Sequence, residues 1–578
     1  MTSITNGETG LSVRGKLNVI LADQTYATVA DMAADSAAVI GDTARVLNYS
    51  AASQSGVLNF VAVALATGTA DGGSLIAGSG VQWRQLFSNT MRLTQWGCAN
   101  APSDSTAQAQ KALNFAFLGI LYGINNQPRV ECGTRLLYFA SSLNVPQGVV
   151  FAGLNTYPSG NAANKPIANT IKLANAATIT LEAGATLEGV EVLNNNFVYP
   201  ANAAQVATWA GTAVFSEGPT SAVKNCKIVG FDRGIDFVSN PALPLSKLNR
   251  QYLENVYLDC KRPLRIKGSQ DIDRASNIHC WPFGSAIVTA IAADYVRPGP
   301  AIDIVDCSSW IKLTGSFEFA YNIGYRIFDS AGVVLDNCAT DGTSDGSDLN
   351  KKAILIESTT QAPATSVFIS NHYFRASMKS AVEINCLNGT DLRSVGIVNS
   401  LFYGQDVAQQ INIIDGESVV LTGNIIRQQG ETAKLISIGA NMGLNLTMNG
   451  NQVINQTVPP LSNAASGYTT NTVLFDTSNL FTGSFTNIWT NGTDGAVTVA
   501  SAASVKLPPS IDYIKITGTV TISTLFNSYA NRIVTLEIVA GLQMNETATI
   551  KLLTGANTIY SADDRVRFMC CGSVWREI

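Results

Sequence analysis

Three short stretches of the chain share one pattern: AVKNCKIVG at residues 222–230, LENVYLDC at 253–260 and ASNIHCW at 275–281. In each stretch a run of residues reaches a single Asn and then resumes as a second, alternating run. Asn tolerates the left-handed αL conformation, which suits it to a bend between two strands. Its side-chain amide can also donate to another Asn stacked above it. The pattern therefore predicts pairs of short strands joined at an Asn bend.

The pattern continues toward the C-terminus, with Gly replacing Asn at some bends. Six further stretches show it: KLTGSFEF at 312–319, VLDNCATDG at 334–342, ISNHYF at 369–374, IVNSLFYG at 397–404, LTGNIIR at 421–427 and LTMNGNQV at 446–453. The nine predicted bend residues are Asn225, Asn255, Asn277, Gly315, Asn337, Asn371, Asn399, Gly423 and Asn449. Neighbouring bends are 22 to 34 residues apart, except for one gap of 38 residues between Asn277 and Gly315.

A repeat of this length, built from strands, is typical of a parallel β-helix. One coil of about three short strands takes roughly 20 to 30 residues and stacks on the next coil at about 4.8 Å. The alternative is a set of β-sandwich domains with Asn in ordinary hairpin turns. Such hairpins favour Asn-Gly turns every 8–12 residues or so, a spacing that this region does not show. We therefore predict an all-β fold dominated by a right-handed parallel β-helix.

Composition narrows the function classes. The 578 residues are too many for one compact core, so we expect two to four structural units. The 37 Lys and Arg residues against 42 Asp and Glu residues give a net charge of −5, which argues against a nucleic-acid partner. No apolar run has the length of a membrane span, so we expect no membrane insertion. We also expect no secretory signal, and synthesis in a cytoplasm.

Cysteine and histidine usage argues against a metal centre. The ten cysteines include no C-x-x-C pair, and His279 and His372 are the only histidines. A His/Cys zinc site therefore does not fit, and we predict no metal and no cofactor. Free cysteine is usually buried, so we interpret the cysteines in strand-like runs as small core residues of a reduced protein. These cysteines are Cys226, Cys260, Cys307, Cys338 and Cys386.

Several segments resemble a known family. They are NGETGLSVRGKLN at 6–18, the stretch at 29–87, RLTQWGCANAPSDSTAQAQKALNFA at 92–116, SNIHCWPFG at 276–284, the stretch at 297–343, and the stretch at 497–578 that contains VKLPPSIDYIKITGTVTISTL and ends in CGSVWREI. Together they are similar to bacteriophage tailspikes with a pectate-lyase-like parallel β-helix. The family usually writes a Gly-Asp-Gly run with two aspartates before its capping helix, where this chain has only Asp104.

The resemblance implies a domain order. Residues 1–20 correspond to a virion-anchoring leader and 21–90 to a small N-terminal module. Residues 91–480 correspond to the β-helix, with a capping helix near 106–118. Residues 481–578 correspond to a β-rich module for trimerisation or carbohydrate binding. The implied protein is a homotrimer in the virion tail, attached to a tail or baseplate protein through its leader, made in the host cytoplasm and acting on bacterial surface polysaccharide.

Catalytic residues are sought among the carboxylates, because glycoside hydrolysis uses a pair of them. Residues one or two coils apart on a β-helix are about 5 or 10 Å apart, which brackets the separations that hydrolases use. Glu318 comes three residues after the Gly315 bend and Asp341 four residues after the Asn337 bend, so we predict this pair on neighbouring coils, facing a solvent groove. Asp294, about one coil before Glu318, is the third candidate.

The predicted roles differ within this pair. Glu318 lies between two phenylalanines, so we expect a raised pKa and a role as general acid. Asp341 opens the polar run DGTSDGSD and is expected to act as base or nucleophile. If this pair is wrong, Asp294, Asp336 and Asp345 are the next candidates. The same run also suits calcium ligation, but a plain surface loop fits better because the run lacks EF-hand spacing.

Six further side chains are predicted to bind substrate, because aromatic rings stack on sugar faces and basic groups pair with charged sugars. They are His279, Trp281, Arg297, Trp310, Tyr321 and Tyr325. Trp281 and Trp310 fit a sugar subsite and a solenoid core equally well.

Three functions follow from these residues. The leading interpretation is a tailspike that cleaves host capsule or O-antigen by glycosidic hydrolysis. The alternative is a polysaccharide lyase for a uronic-acid polymer, with Arg297 neutralising the carboxylate and Tyr321 acting as base. The third is a spike that binds its receptor without cleaving it.

Overall fold

The computed structural model describes residues 24–578 outside the gaps 51–56, 66, 124–126, 134–135, 154–168, 240–248, 286–295, 343–350, 360–364, 376–379, 387–392, 406–408, 430–435, 439–444, 455–460, 464–471, 476–478, 483–488, 491–496, 508–512 and 527–531. The predicted leader at 1–20, Asp294 and Asp345 lie outside the described residues. The chain divides into a first unit, Met1–Asp303 with Ser316–Ala320, and a second unit, Ile304–Gly315 with Tyr321–Ile578.

The first unit begins with a small mixed sheet. Its five strands, in spatial order, are Gln24–Thr28, Thr43–Asn48, Leu58–Val63, Gln82–Gln85 and Leu75–Ala77. The short helix Val29–Ala33 packs against the sheet, with Met32 fully buried. Alternating inward residues such as Val46, Phe60 and Trp83 supply the core of this module.

Parallel coils follow in the first unit. One set of strands pairs in parallel on the first sheet of the coils: Thr90–Arg92, Arg129–Glu131, Leu137–Phe139, Val150–Ala152, Thr170–Leu173, Thr186–Glu188, Glu191–Asn194, Ala222–Lys224, Lys227–Val229, Tyr252–Asp259, Asp273–Cys280 and Phe317–Phe319. A second sheet contains Leu143–Val145, Ile179–Leu181, Thr212–Ser216, Arg233–Val238, Arg262–Lys267 and Arg297–Val305. Parallel pairing of strands that recur once per coil is the signature of a β-helix.

Besides Val29–Ala33, the described helices of this unit lie at the start of the coils and in one excursion. They are the 3₁₀ turn Leu93–Trp96 and the α-helices Thr106–Leu121 and Ala203–Thr208. Thr106–Leu121 begins at the predicted residue and extends three residues beyond the predicted end at 118. Its buried face packs Phe115 against Trp96, with ring centroids 5.3 Å apart. The lone Asp104 anchors the preceding loop, because its Oδ1 accepts from the backbone N–H groups of Thr106 and Ala140 at 3.0 Å each.

The second unit repeats the coil architecture. Its first-sheet strands are Ile311–Thr314, Val333–Asp336, Ala339–Asp341, Thr365–Ser370, Tyr373–Arg375, Arg393–Val398, Leu401–Gln405, Ser418–Thr422, Ile425–Gln429, Asn445–Asn449, Gln452–Ile454, Thr472–Phe475 and Leu480–Thr482. Its second-sheet strands are Tyr321–Phe328, Lys352–Ser358, Ser380–Cys386, Gln409–Asp415, Ile436–Ile438, Leu461–Asn463 and Trp489–Thr490. The predicted all-β, parallel β-helix fold class is confirmed.

A β-rich module ends the second unit. Its strands are Val497–Ala500, Ser504–Lys506, Tyr513–Thr517, Thr524–Phe526, Ile533–Ile538, Leu542–Met544, Ile550–Lys551, Thr558–Tyr560, Arg565–Cys571 and Val574–Glu577. Buried Ile516, Leu536, Phe568 and Trp575 belong to its own hydrophobic core. The module therefore has a hydrophobic core of its own, which its strands enclose.

The predicted bends are largely confirmed. Eight of the nine bend residues have positive φ, between 49° and 66°. The exception is Asn449, because the bend falls one residue later at Gly450, with φ 61°. Gly has no Cβ and enters the αL region more easily than Asn, so it takes the bend when both are present.

Asn side chains also form ladders along the coils, as the sequence predicted. In the first unit, Asn255 Nδ2 donates to Asn225 Oδ1 and Asn277 Nδ2 donates to Asn255 Oδ1, both at 3.0 Å. In the second unit, a ladder not anticipated from the sequence joins Asn424 Nδ2 to Asn451 Oδ1 at 2.9 Å. Asn424 and Asn451 are buried, so these hydrogen bonds satisfy amides that water cannot reach.

The cysteines follow the prediction. All five cysteines predicted to be buried are free and buried, while Cys571 is the exposed exception among the ten. Within the described part of the chain, no helix is long and apolar enough to cross a membrane.

Side-chain burial after the bends from Asn277 onward follows a parity rule. The first and third residues after the bend are buried, and the second and fourth are partly or fully exposed, because successive strand residues face opposite sides. After the Asn225 and Asn255 bends, Lys227, Val229 and Asp259 occupy second or fourth positions and are buried as well. After Asn371, for example, His372 and Phe374 are buried while Tyr373 and Arg375 are exposed. The rule decides which predicted site residues can meet a ligand.

Candidate functional site

The prediction that Glu318 faces a solvent groove is wrong. Glu318 is the third residue after the Gly315 bend, and its side chain is fully buried. Its neighbours Phe317 and Phe319 are the outward, partly exposed residues of the strand. The third position after a bend faces the coil interior. The prediction for Glu318 considered its apolar neighbours but not this position. An interior carboxylate does not reach a polysaccharide at the surface, so Glu318 does not belong to the candidate site.

Arg297 is not available to a substrate either. It is fully buried, where its Nε donates to Asp259 Oδ1 at 2.8 Å and its Nη2 donates to Ser285 Oγ at 3.1 Å. Its guanidinium also lies 5.0 Å from the ring centroid of Trp209. These contacts make Arg297 a structural ion-pair residue beneath the Ala203–Thr208 excursion.

Tyr321 and Tyr325 belong to the core of the second unit. Both are fully buried, on the strand Tyr321–Phe328, and the ring of Tyr325 packs edge-on against His372 at 5.6 Å. The prediction that these two tyrosines contact substrate is wrong, because both side chains are enclosed in the interior of the coil. With Arg297 and Tyr321 both buried, the specific lyase site suggested from the sequence is also wrong.

His279 and Trp281 lie on the outer side of the first unit, in a cluster of rings. The His279 imidazole is 5.0 Å from the Phe317 ring and 5.3 Å from the Phe283 ring, and Trp281 lies 5.2 Å from Phe283. Burial lowers the pKa of His279 to about 4, so the ring is neutral near pH 7 and carries no charge for an anionic sugar. Both residues are partly exposed, so their proposed role in sugar stacking stands as a prediction.

Trp310 is exposed in the second unit. Its side chain is 66% exposed and borders a groove of about 420 Å³. Val334, Phe368 and Gly396 form the floor of this groove, and their β-pairing places them on one outward column. Both tryptophans that the sequence left open therefore lie outside the core, and Trp310 is the more exposed of the two.

Asp341 faces outward, as predicted. It is the fourth residue after Asn337, at the end of the strand Ala339–Asp341, and is partly exposed. Burial raises the pKa of its carboxyl, although the Gly342 N–H donates to its Oδ1 at 2.9 Å and Arg375 and Lys351 add positive charge. A raised pKa favours the protonated form, so Asp341 fits a proton donor better than the base that the sequence suggested.

The strands beside Asp341 bring three further basic or aromatic side chains into line with it. Thr340 pairs with Phe374, Arg375 pairs with Tyr403, and Tyr403 pairs with Arg427. We call the outward set Asp341, Arg375, Tyr403 and Arg427 the Asp341 row. Arg375 and Arg427 are exposed and Tyr403 is partly exposed. The Arg427 guanidinium lies over the Tyr403 ring, 5.5 Å from its centroid.

A second carboxylate precedes the same bend. Asp336 ends the strand Val333–Asp336 and is partly exposed. Its pKa is lowered, because Ser370 Oγ donates to its Oδ1 at 2.8 Å and Asn371 Nδ2 donates at 3.2 Å. Hydrogen bonds therefore favour the ionised form of Asp336, whereas burial favours the protonated form of Asp341.

Arg375, Tyr403 and Arg427 were not among the residues predicted from the sequence, although the sequence carries a signal for them. Each is the fourth residue after a bend, in the pentapeptides NHYFR, NSLFY and GNIIR, as Asp341 is in NCATD. Aligning the bends and reading only the fourth position gives the Asp341 row directly. No group of three or more potential metal ligands occurs among the described residues, and the calcium-like run beyond Gly342 lies outside them.

Comparisons with known proteins return similar folds. No protein-family model and no curated protein matches the chain. A tailspike protein of Acinetobacter baumannii bacteriophage Fri1, described as a capsular polysaccharide depolymerase, is 14% identical, with a TM-score of 0.48 over 81% of this chain and 76% of that one. Tailspike protein 2 of Escherichia coli O157:H7 bacteriophage CAB120 is 10% identical, with a TM-score of 0.46 over 99% and 74% of the two chains.

A third solved structure is the catalytic unit of a GH87 α-1,3-glucanase from Streptomyces thermodiastaticus. It is 10% identical, with a TM-score of 0.44 over 70% of this chain and 74% of that one. At such values these likenesses assign neither a reaction nor a substrate. The chain's own strand pairing shows the parallel β-helix that the tailspike resemblance implies.

Proposed function

We propose that this protein is a bacteriophage tailspike that binds a bacterial surface polysaccharide and cleaves it by glycosidic hydrolysis. The observation that carries the proposal is the Asp341 row, a partly exposed carboxyl with a raised pKa beside basic and aromatic side chains. The resemblance of the sequence to tailspikes supports the biological setting: a homotrimer in the virion tail, made in the host cytoplasm and attached through residues 1–20.

Asp341 is the proton donor in this proposal. Hydrolysis requires an acid that protonates the glycosidic oxygen as the bond breaks, and burial keeps the Asp341 carboxyl protonated at a higher pH than an ordinary aspartate. Asp336 is the carboxylate that activates water or attacks the sugar, since its hydrogen bonds from Ser370 and Asn371 keep it ionised. Activity should therefore fall as pH rises through the raised pKa of Asp341, and fall again as pH drops through the lowered pKa of Asp336.

A cleavage assay with purified bacterial capsular polysaccharides tests the proposal. New reducing ends without ultraviolet absorbance from an unsaturated uronate indicate hydrolysis. Reducing ends with that absorbance indicate a lyase, and binding without new ends indicates a receptor-binding spike.

Variants locate the chemistry. Asp341→Asn should lower turnover by about 10² to 10⁴, the usual contribution of acid–base assistance, and Asp336→Asn should do the same. Glu357→Gln is the matched control, because Glu357 is a partly exposed carboxylate on the other sheet, paired with Arg326 at 3.1 Å. Normal turnover in both Asp variants would exclude this pair.

A further inference from the structure

The arginines of the Asp341 row form no ion pair with a described carboxylate. Arg375 and Arg427 are exposed on the outer face of the coils. Other arginines in the coils do pair: Arg265 with Asp236 at 2.7 Å and Arg326 with Glu357 at 3.1 Å. Two guanidinium groups that form no ion pair among the described residues, along one row of a chain with net charge −5, mark a local positive site.

The spacing of the row suits a repeating ligand. Adjacent coils are about 4.8 Å apart, so Arg375 and Arg427 are separated by roughly 10 Å along the coil axis, with Tyr403 between them. A planar guanidinium binds a carboxylate or phosphate through two parallel N–H donors. The Tyr403 ring holds the Arg427 guanidinium on its face, which limits the orientations available to that fork.

We propose that Arg375, Tyr403 and Arg427 form a subsite for an anionic sugar residue, so that the substrate of the proposed depolymerase is an acidic polysaccharide. This inference rests on the proposed function for its substrate but concerns binding alone. The anionic group is a carboxylate or a phosphate carried by the sugar, since both match the geometry of the guanidinium fork. Tyr403 is partly exposed and lies between the two arginines in the strand pairing.

Charge in this subsite also affects the reacting carboxyl. Arg375 is the positive group of the row that acts on Asp341, and it lowers the pKa against the effect of burial. A bound anion that pairs with Arg375 offsets that positive charge, which shifts Asp341 toward its protonated form. Binding of an acidic sugar therefore favours the state in which Asp341 donates a proton, and a neutral sugar lacks this effect.

Titration of monosaccharides into the full-length protein tests the binding step without any cleavage. The probes are D-glucuronate, D-glucose 6-phosphate and D-glucose. Isothermal titration calorimetry or ligand-observed NMR measures the binding of each probe. D-glucuronate or D-glucose 6-phosphate should bind at least about tenfold more tightly than D-glucose, because only an anionic probe forms charge-assisted hydrogen bonds with the arginines. Added salt should weaken the binding of the anionic probes. The stronger of the two anionic probes identifies which anionic group the subsite takes.

Matched variants separate this subsite from other basic groups. Arg375→Gln and Arg427→Gln should each remove about tenfold of the preference for the anionic probe. Arg326→Gln is the control, since that arginine is neutralised by Glu357 on the other sheet, and it should leave the preference unchanged. Equal binding of charged and neutral sugars, or a preference that survives both row variants, overturns the inference.

The cleavage assay keeps the two proposals distinguishable. If the protein cleaves a neutral polysaccharide equally well with and without Arg375→Gln and Arg427→Gln, the acidic subsite is contradicted. This result is consistent with the proposed hydrolase. If the anionic sugars bind in an arginine-dependent way and no capsular polysaccharide is cleaved, the hydrolase proposal is contradicted. The acidic subsite is supported by the same result.

Discussion

At the residue scale, a histidine enclosed in the second unit links stability to pH. The His372 ring stacks on Phe374 at 4.1 Å, and its Nε2 is 3.1 Å from Thr340 Oγ1. Burial lowers the pKa of His372 to about 3. A histidine whose folded pKa is depressed contributes stability that is present above its unfolded pKa, near 6.5, and lost as pH falls toward the folded value.

We therefore expect acid to destabilise the protein between about pH 6 and pH 3. His372 alone should contribute on the order of 3 kcal/mol of lost unfolding free energy by pH 4. His372→Phe removes the titration and keeps an aromatic ring against Phe374, at the cost of the Thr340 hydrogen bond. Urea unfolding at pH 7 and pH 4 should show a smaller drop in midpoint for this variant than for the wild type. An equal drop in both proteins would show that other groups dominate acid unfolding.

At the scale of the element, each bend combines a backbone conformation with a side-chain ladder. Asn255 has φ 51°, donates to Asn225 and accepts from Asn277. Asn255→Gly keeps the αL conformation and removes the ladder, so it should cost about 1 to 2 kcal/mol. Asn255→Ala should cost about 1 to 2 kcal/mol more, because a Cβ is unfavourable in αL. Unfolding midpoints give the comparison, and equal stability of the two variants would mean that the bend conformation adds nothing.

The excursion over the first unit depends on one ion pair. Arg297→Met leaves the Asp259 carboxylate buried without its cation, and breaking a buried pair in this way costs about 3 to 5 kcal/mol. The double variant with Asp259→Asn should recover part of the loss, since an uncharged amide is cheaper to bury. Thermal unfolding provides the measurement, and polysaccharide affinity provides the contrast with a binding role. If Arg297→Met lowered the polysaccharide affinity and left the unfolding temperature unchanged, Arg297 would have a role in substrate binding after all.

The strand-level pattern explains how much of the fold the sequence could predict. Asn and Gly bends separated by alternating runs are local signals, so eight bend positions and the coil architecture follow from them. Site prediction failed at Glu318 because the count from the bend was made without its parity: the third position faces inward and the fourth faces outward. The burial of Tyr321, Tyr325 and Arg297 depends on contacts with the second sheet and with excursions that are distant in sequence. No local sequence pattern specifies these contacts.

At the scale of the whole molecule, the C-terminal module exposes apolar side chains that a single chain leaves in water. Ile559 is 74% exposed and Leu553 is 72% exposed in this module. Exposed apolar side chains of this size are common at subunit contacts, and closed rotational symmetry would bury the same residues on every chain. They support the proposed homotrimer, with the C-terminal module setting the register of the three chains.

Light scattering tests this assembly directly. The wild-type protein should have about three times the mass of one 61.1 kDa chain and should stay assembled in heat and detergent. Ile559→Asp combined with Leu553→Asp places charges where the proposed interface excludes water, so the assembly should weaken or dissociate. Ile40→Asp is the control, because Ile40 is 67% exposed in the N-terminal module, outside the proposed contact. A wild-type species with the mass of one chain contradicts the trimer, whereas an intact trimer in the double variant moves its interface away from the C-terminal module.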